Sequence, residues 1–234
     1  MLSLRVWRSF CLAATVLAVV AVAPSVASAS IIQSTPSLPP EGAYTAATVC
    51  FPHLGPGICV VGASMHGFTG TTSTFDNQGQ SIDSNISLTA DVYTDVNGTP
   101  GTLIAPILLQ GPIGILYAGR MNDSELGTFT SSMTEFDLTG TFHGVTTHTI
   151  EIILNPMMTS SGPTTVAQFG SDFQITSFFD VFAEISLDSG PFMPAPSSRT
   201  FTLTPEPGSI SLMALGLLGV GGQVWRRLRA EKPQ

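Results

Sequence analysis

Residues 173–187 read FQITSFFDVFAEISL, and the alternation in this stretch decides the fold. The odd positions are Phe173, Ile175, Ser177, Phe179, Val181, Ala183, Ile185 and Leu187, of which only Ser177 is polar. The even positions run Gln174, Thr176, Phe178, Asp180, Phe182, Glu184 and Ser186, and only the two phenylalanines are apolar. Successive side chains of a strand point to opposite faces, so a period of two with one apolar face predicts a half-buried strand, or two strands with a bend near Ser177.

The same period recurs outward from this segment. Ile86, Leu88, Ala90 and Val92 share one face of residues 84–93, Phe136, Leu138 and Phe142 one face of 134–142, and His148, Ile150, Ile152 and Leu154 continue it. Asn97 and Gly98, with Pro100 and Gly101, separate two apolar runs in the manner of a hairpin. Turn chemistry also marks Gly111 with Pro112, Asn122 with Asp123, Asn155 with Pro156, residues 161–163 and residues 189–191. Between the termini no segment carries a helical period, and no internal repeat is found. The expectation is an all-β fold: a single β-sandwich or jelly-roll-like domain of eight to eleven short strands over residues 43–204. Residues 30–42, rich in Pro and Ser, read as an exposed leader; residues 192–198 read as a loop before a last strand, 199–204.

Charge divides the chain in the same places. Of eight basic residues, Arg5, Arg8, Arg226, Arg227, Arg229 and Lys232 lie in the terminal segments. Residues 30–204 keep only Arg120 and Arg199 against fourteen Asp and Glu, a net charge of 2 − 14 = −12. Phosphate binding needs clustered Lys and Arg, so nucleic acid is excluded as a partner, and anionic lipid is disfavoured for the same reason.

The N-terminus has the layout of an export signal. Arg5 and Arg8 precede a fourteen-residue apolar run, residues 10–23, and Ala27 and Ala29 form a small-x-small site. Signal peptidase is expected to remove residues 1–29, leaving Ser30 as the first mature residue. The C-terminus is ordered differently. Pro205, Glu206 and Pro207 come first, then the uncharged residues 208–225, then the basic cluster Arg226, Arg227 and Arg229. Eighteen residues of helix would span roughly 27 Å, close to the hydrocarbon thickness of ~30 Å. The arginines act as a stop-transfer cluster on the cytoplasmic side. The two prolines resist helix and keep their neighbours extended, as a protease requires of a substrate just outside the bilayer.

The tail TPEPGSISLMALGLLGVGGQVWRRLRA resembles the PEP-CTERM sorting signal of Gram-negative bacteria. The resemblance covers residues 205–234 and implies an exosortase partner in the inner membrane, which recognises the tail and cuts near Pro205, Glu206 and Pro207. It also implies a C-terminal transmembrane helix that anchors the domain in the periplasm before delivery to the cell surface or extracellular matrix. Residues 177–190, SFFDVFAEISLDSG, are similar to the end of a domain that recurs in other PEP-CTERM proteins and has no assigned activity.

Candidate chemistry in the domain is sparse. Cys50 and Cys59, the two cysteines of the mature chain, bracket a loop with two prolines and two glycines, and an oxidising compartment favours a disulfide there. The alternative is a zinc site from Cys50, His53, Cys59 and His66, whose spacing is not a standard one. Asp91, Asp95 and Asn97, with Gly98, are candidates for a calcium loop, although a hairpin already explains the Asn-Gly step. Glu135 and Asp137 would share one strand face about 6.6–7 Å apart, within the roughly 6.5–9.5 Å that separates inverting-glycosidase carboxylates. Trp7 and Trp225 both lie in the terminal signals, so the domain has no Trp for a sugar platform. His143 and His148 are expected on opposite faces. No other cofactor is expected. The functional expectation is a non-enzymatic surface or matrix protein, associated with exopolysaccharide. The alternative is a carbohydrate-binding module or secreted glycan hydrolase on the same scaffold.

Overall fold

The computed structural model describes residues 30–54 and 57–204, and the regular structure in them is all strand. The signal peptide with Ala27 and Ala29, the apolar segment 208–225 and the basic cluster lie outside the described residues. No helix among the described residues is long and apolar enough to cross a membrane.

Thirteen strands form one antiparallel sheet: β1 (Ser30–Gln33), β2 (Ala43–Ala46), β3 (Val49–Phe51), β4 (Ile58–Phe75), β5 (Gly79–Val96), β6 (Thr99–Ala118), β7 (Gly127–His143), β8 (Thr147–Leu154), β9 (Ser161–Phe169), β10 (Asp172–Val181), β11 (Ala183–Leu187), β12 (Met193–Pro194) and β13 (Arg199–Thr204). The pairing closes on itself through β2, β4, β5, β6, β7, β9, β10 and β13. Two halves therefore face each other across one core, a sandwich-like arrangement in which Leu88 and Phe136 meet Val181 and Phe201. The faces read from the alternation are the buried ones: Ile86, Leu88, Ala90 and Val92 on β5, and Phe136, Leu138 and Phe142 on β7.

Closure depends on shared strands. One edge of β7 pairs with β9 at Gly127 to Ser132 and with β8 at Asp137 to His143. The chain makes the corresponding switch between β10 and β11. The expected bend near Ser177 falls instead at Phe182: Val181 still opposes Arg199 of β13, whereas Ala183 opposes Leu154 of β8. Ser160 sits at this fork, accepting the Phe182 N–H on its hydroxyl at 2.9 Å and the Met133 N–H on its carbonyl at 2.9 Å. Backbone groups that the ladder abandons there are satisfied by one small polar residue.

The central strands are longer than turn chemistry suggested, because two expected turns are not turns. Gly111 and Pro112 lie within β6, and Gly162 and Pro163 within β9. Proline has no N–H to donate, so each ladder lapses opposite it: between the Gln110/Thr139 and Ile113/Phe136 pairs, and between Ser177/Thr164 and Asp180/Ser161. The freed carbonyl, of Asp137 or Phe178, moves over the preceding glycine. A Cβ on Gly111 or Gly162 would lie 1.9 Å from that oxygen. The hairpin at Asn97 and Gly98 forms as expected, with φ of 55° and 81° and Val96 opposite Thr99, the two-residue geometry that suits strand twist.

Residues 30–42 are not an exposed leader. Ser30–Gln33 pairs with β10, and Ile31 and Leu38 are buried. Arg120, fully buried just past the end of β6, adds a further tie. It donates to Pro36 O at 2.6 Å, to Asp123 O at 2.7 Å and to Gln80 Oε1, and it stands 5.7 Å from the Phe129 ring. A buried cation needs acceptors, and the leader carbonyl supplies one.

Candidate functional site

The functional end of the domain is where β13 stops. Arg199 to Thr202 pair with β10 and Phe201 to Thr204 with β2, so Phe201 lies opposite both Phe179 and Ala46. Leu203 is fully buried opposite Tyr44, and Thr204 opposes Ala43 and donates from Oγ1 to the Ala43 carbonyl at 3.0 Å. Pro205 follows at once in the sequence. Having no N–H, it cannot extend the ladder. The sorting residues Pro205, Glu206 and Pro207 themselves lie outside the described residues.

Cys50 and Cys59 form a disulfide between directly opposed residues of β3 and β4. The intervening loop is tied down by the Asp95 N–H, which donates to Gly57 O at 3.0 Å. Cys50, Cys59 and Asp95 form the one metal-ligand grouping among the described residues, and both sulfurs are already bonded to each other. His66 is not part of it; its Nδ1 lies 3.3 Å from Ser64 O.

The calcium candidates are not gathered. Asp91 and Asp95 are four residues apart along β5, about 13 Å at ~3.3 Å per residue. One Asp95 oxygen is engaged by the Gly98 N–H at 2.6 Å, so the hairpin accounts for Asp95 and Asn97. Glu135 and Asp137 both stand on the exposed face of β7 and line neither cavity nor groove. His143 and His148 do face opposite ways, but across a hairpin and not along one strand. His143 Nδ1 contacts Thr147 Oγ1 at 2.8 Å, while His148 packs on Phe142 and pairs with Asp188 at 2.7 Å. The hydrogen bond from His148, with that of the Thr149 N–H, holds the Asp188 carboxyl below its ordinary value of 3.8.

Two concavities among the described residues are candidates for a binding site. An apolar cavity of about 50 Å³ between the halves is lined by Ala46, Ala63, Leu88, Phe136, Val181 and Phe201, and is too small for a sugar ring. A shallow groove of about 470 Å³ runs between residues 37–42 and Gly67, Phe68 and Thr71. It holds a single aromatic, Phe68, half-buried edge-on against Tyr44, and a single carboxylate, Glu41. Tyr44 and Tyr117 are inside the core, where burial pushes both phenols up from their ordinary range.

The surface is anionic throughout. None of the fourteen carboxylates is buried, and His148 with Asp188 is the one ion pair among the described residues. Arg120 is enclosed, and Arg199 is engaged with Thr48 O at 2.9 Å, Ser197 Oγ at 2.6 Å and Ser198 O at 3.0 Å. Sequence reasoning missed the role of Arg120, although one of only two cations in so acidic a stretch was the signal for it.

An acidic all-β domain whose last strand runs without a linker into a Pro-Glu-Pro sequence belongs to the class of folded passengers addressed by a C-terminal tail. Residues 203–227 match the family described as the PEP-CTERM protein-sorting motif. The chain thus carries a PEP-CTERM sorting motif and is an exosortase-targeted, exported protein. No curated protein and no solved structure matches the chain.

Proposed function

We propose that the domain is a non-catalytic surface or matrix protein, held at the inner membrane by its tail and delivered to the cell surface or exopolysaccharide once the tail is removed. The observation that carries this reading is the fusion of a closed, acidic sheet directly to the sorting motif, with Thr204 the last strand residue and Pro205 the next. The acidic shell supports it as well. Thirteen of fourteen carboxylates have no cationic partner among the described residues, which keeps such a domain soluble and repels other polyanions. The carbohydrate-binding alternative would need aromatics and carboxylates collected in one groove, and the groove beside residues 37–42 offers one of each.

The test is cell fractionation of the unaltered chain beside the double variant Pro205→Ala, Pro207→Ala. The domain is expected in the surface or medium fraction for the unaltered chain and in the inner membrane for the variant. Equal distribution of the two would contradict the assignment.

A further inference from the structure

The exit of the tail is more constrained than a strand end usually is. β1 and β13 pair with the same edge of β10, because its other edge is taken by β9. They lie end to end and run in the same direction. Thr202 opposes Phe178, so two further residues of β13 would reach the place opposite Thr176. Ser30 already holds that place, pinned by the Gln174 amide donating to its hydroxyl at 3.0 Å. The chain therefore cannot slide onward along β10. The other flank is closed too. A Cβ on Gly42 would lie 3.0 Å from the Leu203 side chain and 3.3 Å from the Thr204 carbonyl, so residues 41–43 crowd the exit. The sorting motif begins inside this arrangement, since its match starts at Leu203, a fully buried residue.

We infer that Leu203 and Thr204 are positioning residues for tail processing: they fix the start of the sorting motif at the rim of the folded domain, so that the domain obstructs the removal of its own tail. This rests on the reading that the tail is processed. An enzyme that grips an extended peptide must bring its surface against the rim formed by Ser30, residues 41–43 and Thr204, or wait until β13 frays. Fraying is unfavourable because it exposes the buried Leu203 and breaks the pairing of Leu203 and Thr204 with β2. Processing then reports the folded state of the passenger, and a misfolded chain loses its tail sooner than a folded one.

The experiment inserts Gly-Ser-Gly-Ser between Thr204 and Pro205 in the full-length protein and follows tail loss by intact mass after a pulse of synthesis. Four residues add up to ~14 Å of reach, enough to clear the rim. The same four residues inserted beside Val145, a fully exposed turn residue, serve as the control. The spacer is expected to speed tail loss several-fold, with the control insertion unchanged and both variants retaining the strand signature of the unaltered protein. An equal or slower rate with the spacer overturns the inference, while tail loss from the unaltered chain still supports processing. No tail loss from any of the three would overturn both.

Discussion

Two glycines show how a single hydrogen atom permits this sheet. Gly111 and Gly162 each precede a proline, and each accepts a partner carbonyl where a side chain would begin. Gly111→Ala and Gly162→Ala are therefore expected to destabilise the domain by about 1–3 kcal/mol or more, since backbone cannot yield as a flexible side chain does. The comparison is Gly98→Ala, where a Cβ meets nothing within 4 Å and only the φ of 81° opposes it. Denaturant midpoints that fell no further for the two strand glycines than for Gly98 would contradict the close approach. Asp188 supplies a second case. Its carboxyl is held below the ordinary value by His148 and the Thr149 N–H. A depressed folded value means that the contact stabilises above the unfolded pKa and is lost as pH falls through the folded one. Asp188→Asn should lower the unfolding midpoint modestly at pH 6 and make progressively less difference below about pH 4, the range of an unperturbed Asp. A difference that grew on acidification would reverse the sign and refute the pairing.

Among the elements, the N-terminal segment is tied to the domain by β1 and by one long-range side chain, Arg120. Arg120→Met would leave the Pro36 and Asp123 carbonyls and the Gln80 amide oxygen without their donor. An unsatisfied buried acceptor costs about 1–3 kcal/mol, so a loss of roughly 2–3 kcal/mol is expected, with faster proteolysis within residues 34–42. Unchanged cleavage there would show that the segment is held by other means. The strands themselves were legible in the sequence wherever one face met the core, as in β5, β7 and β10, because burial on one side imposes the period of two. The disulfide was legible because two cysteines bracketed a turn-forming loop in an exported chain. Other features were not. Gly-Pro pairs are turn signals by local preference, and only the partner strand reveals that the chain passes straight through. Residues 30–42 lack any alternation, and a carbonyl bonded to an arginine 84 residues away leaves no local mark. The closure of the sheet rests on β7 dividing one edge between β8 and β9, which no single strand's pattern encodes. At the candidate site, the sorting residues were legible as a motif, whereas the absence of slack before them required the register of β1 and β13.

For the whole molecule, charge is the dominant long-range term. A net −12 over residues 30–204, with both arginines engaged, makes the folded state self-repelling. Raising NaCl from ~10 mM to ~150 mM shortens the Debye length from about 30 Å to about 8 Å, so the thermal unfolding midpoint is expected to rise. A fall would mean that attractive ion pairs, not repulsion, govern the surface. The central claim is that this closed domain is addressed by its tail and released from it. Intact-mass measurement of the protein from cells with and without the exosortase tests that most directly. With the enzyme, the mass should correspond to a chain that begins at Ser30 and ends near Pro205 to Pro207; without it, the 208–234 portion should remain. The same tail-bearing mass from both kinds of cell would contradict the account.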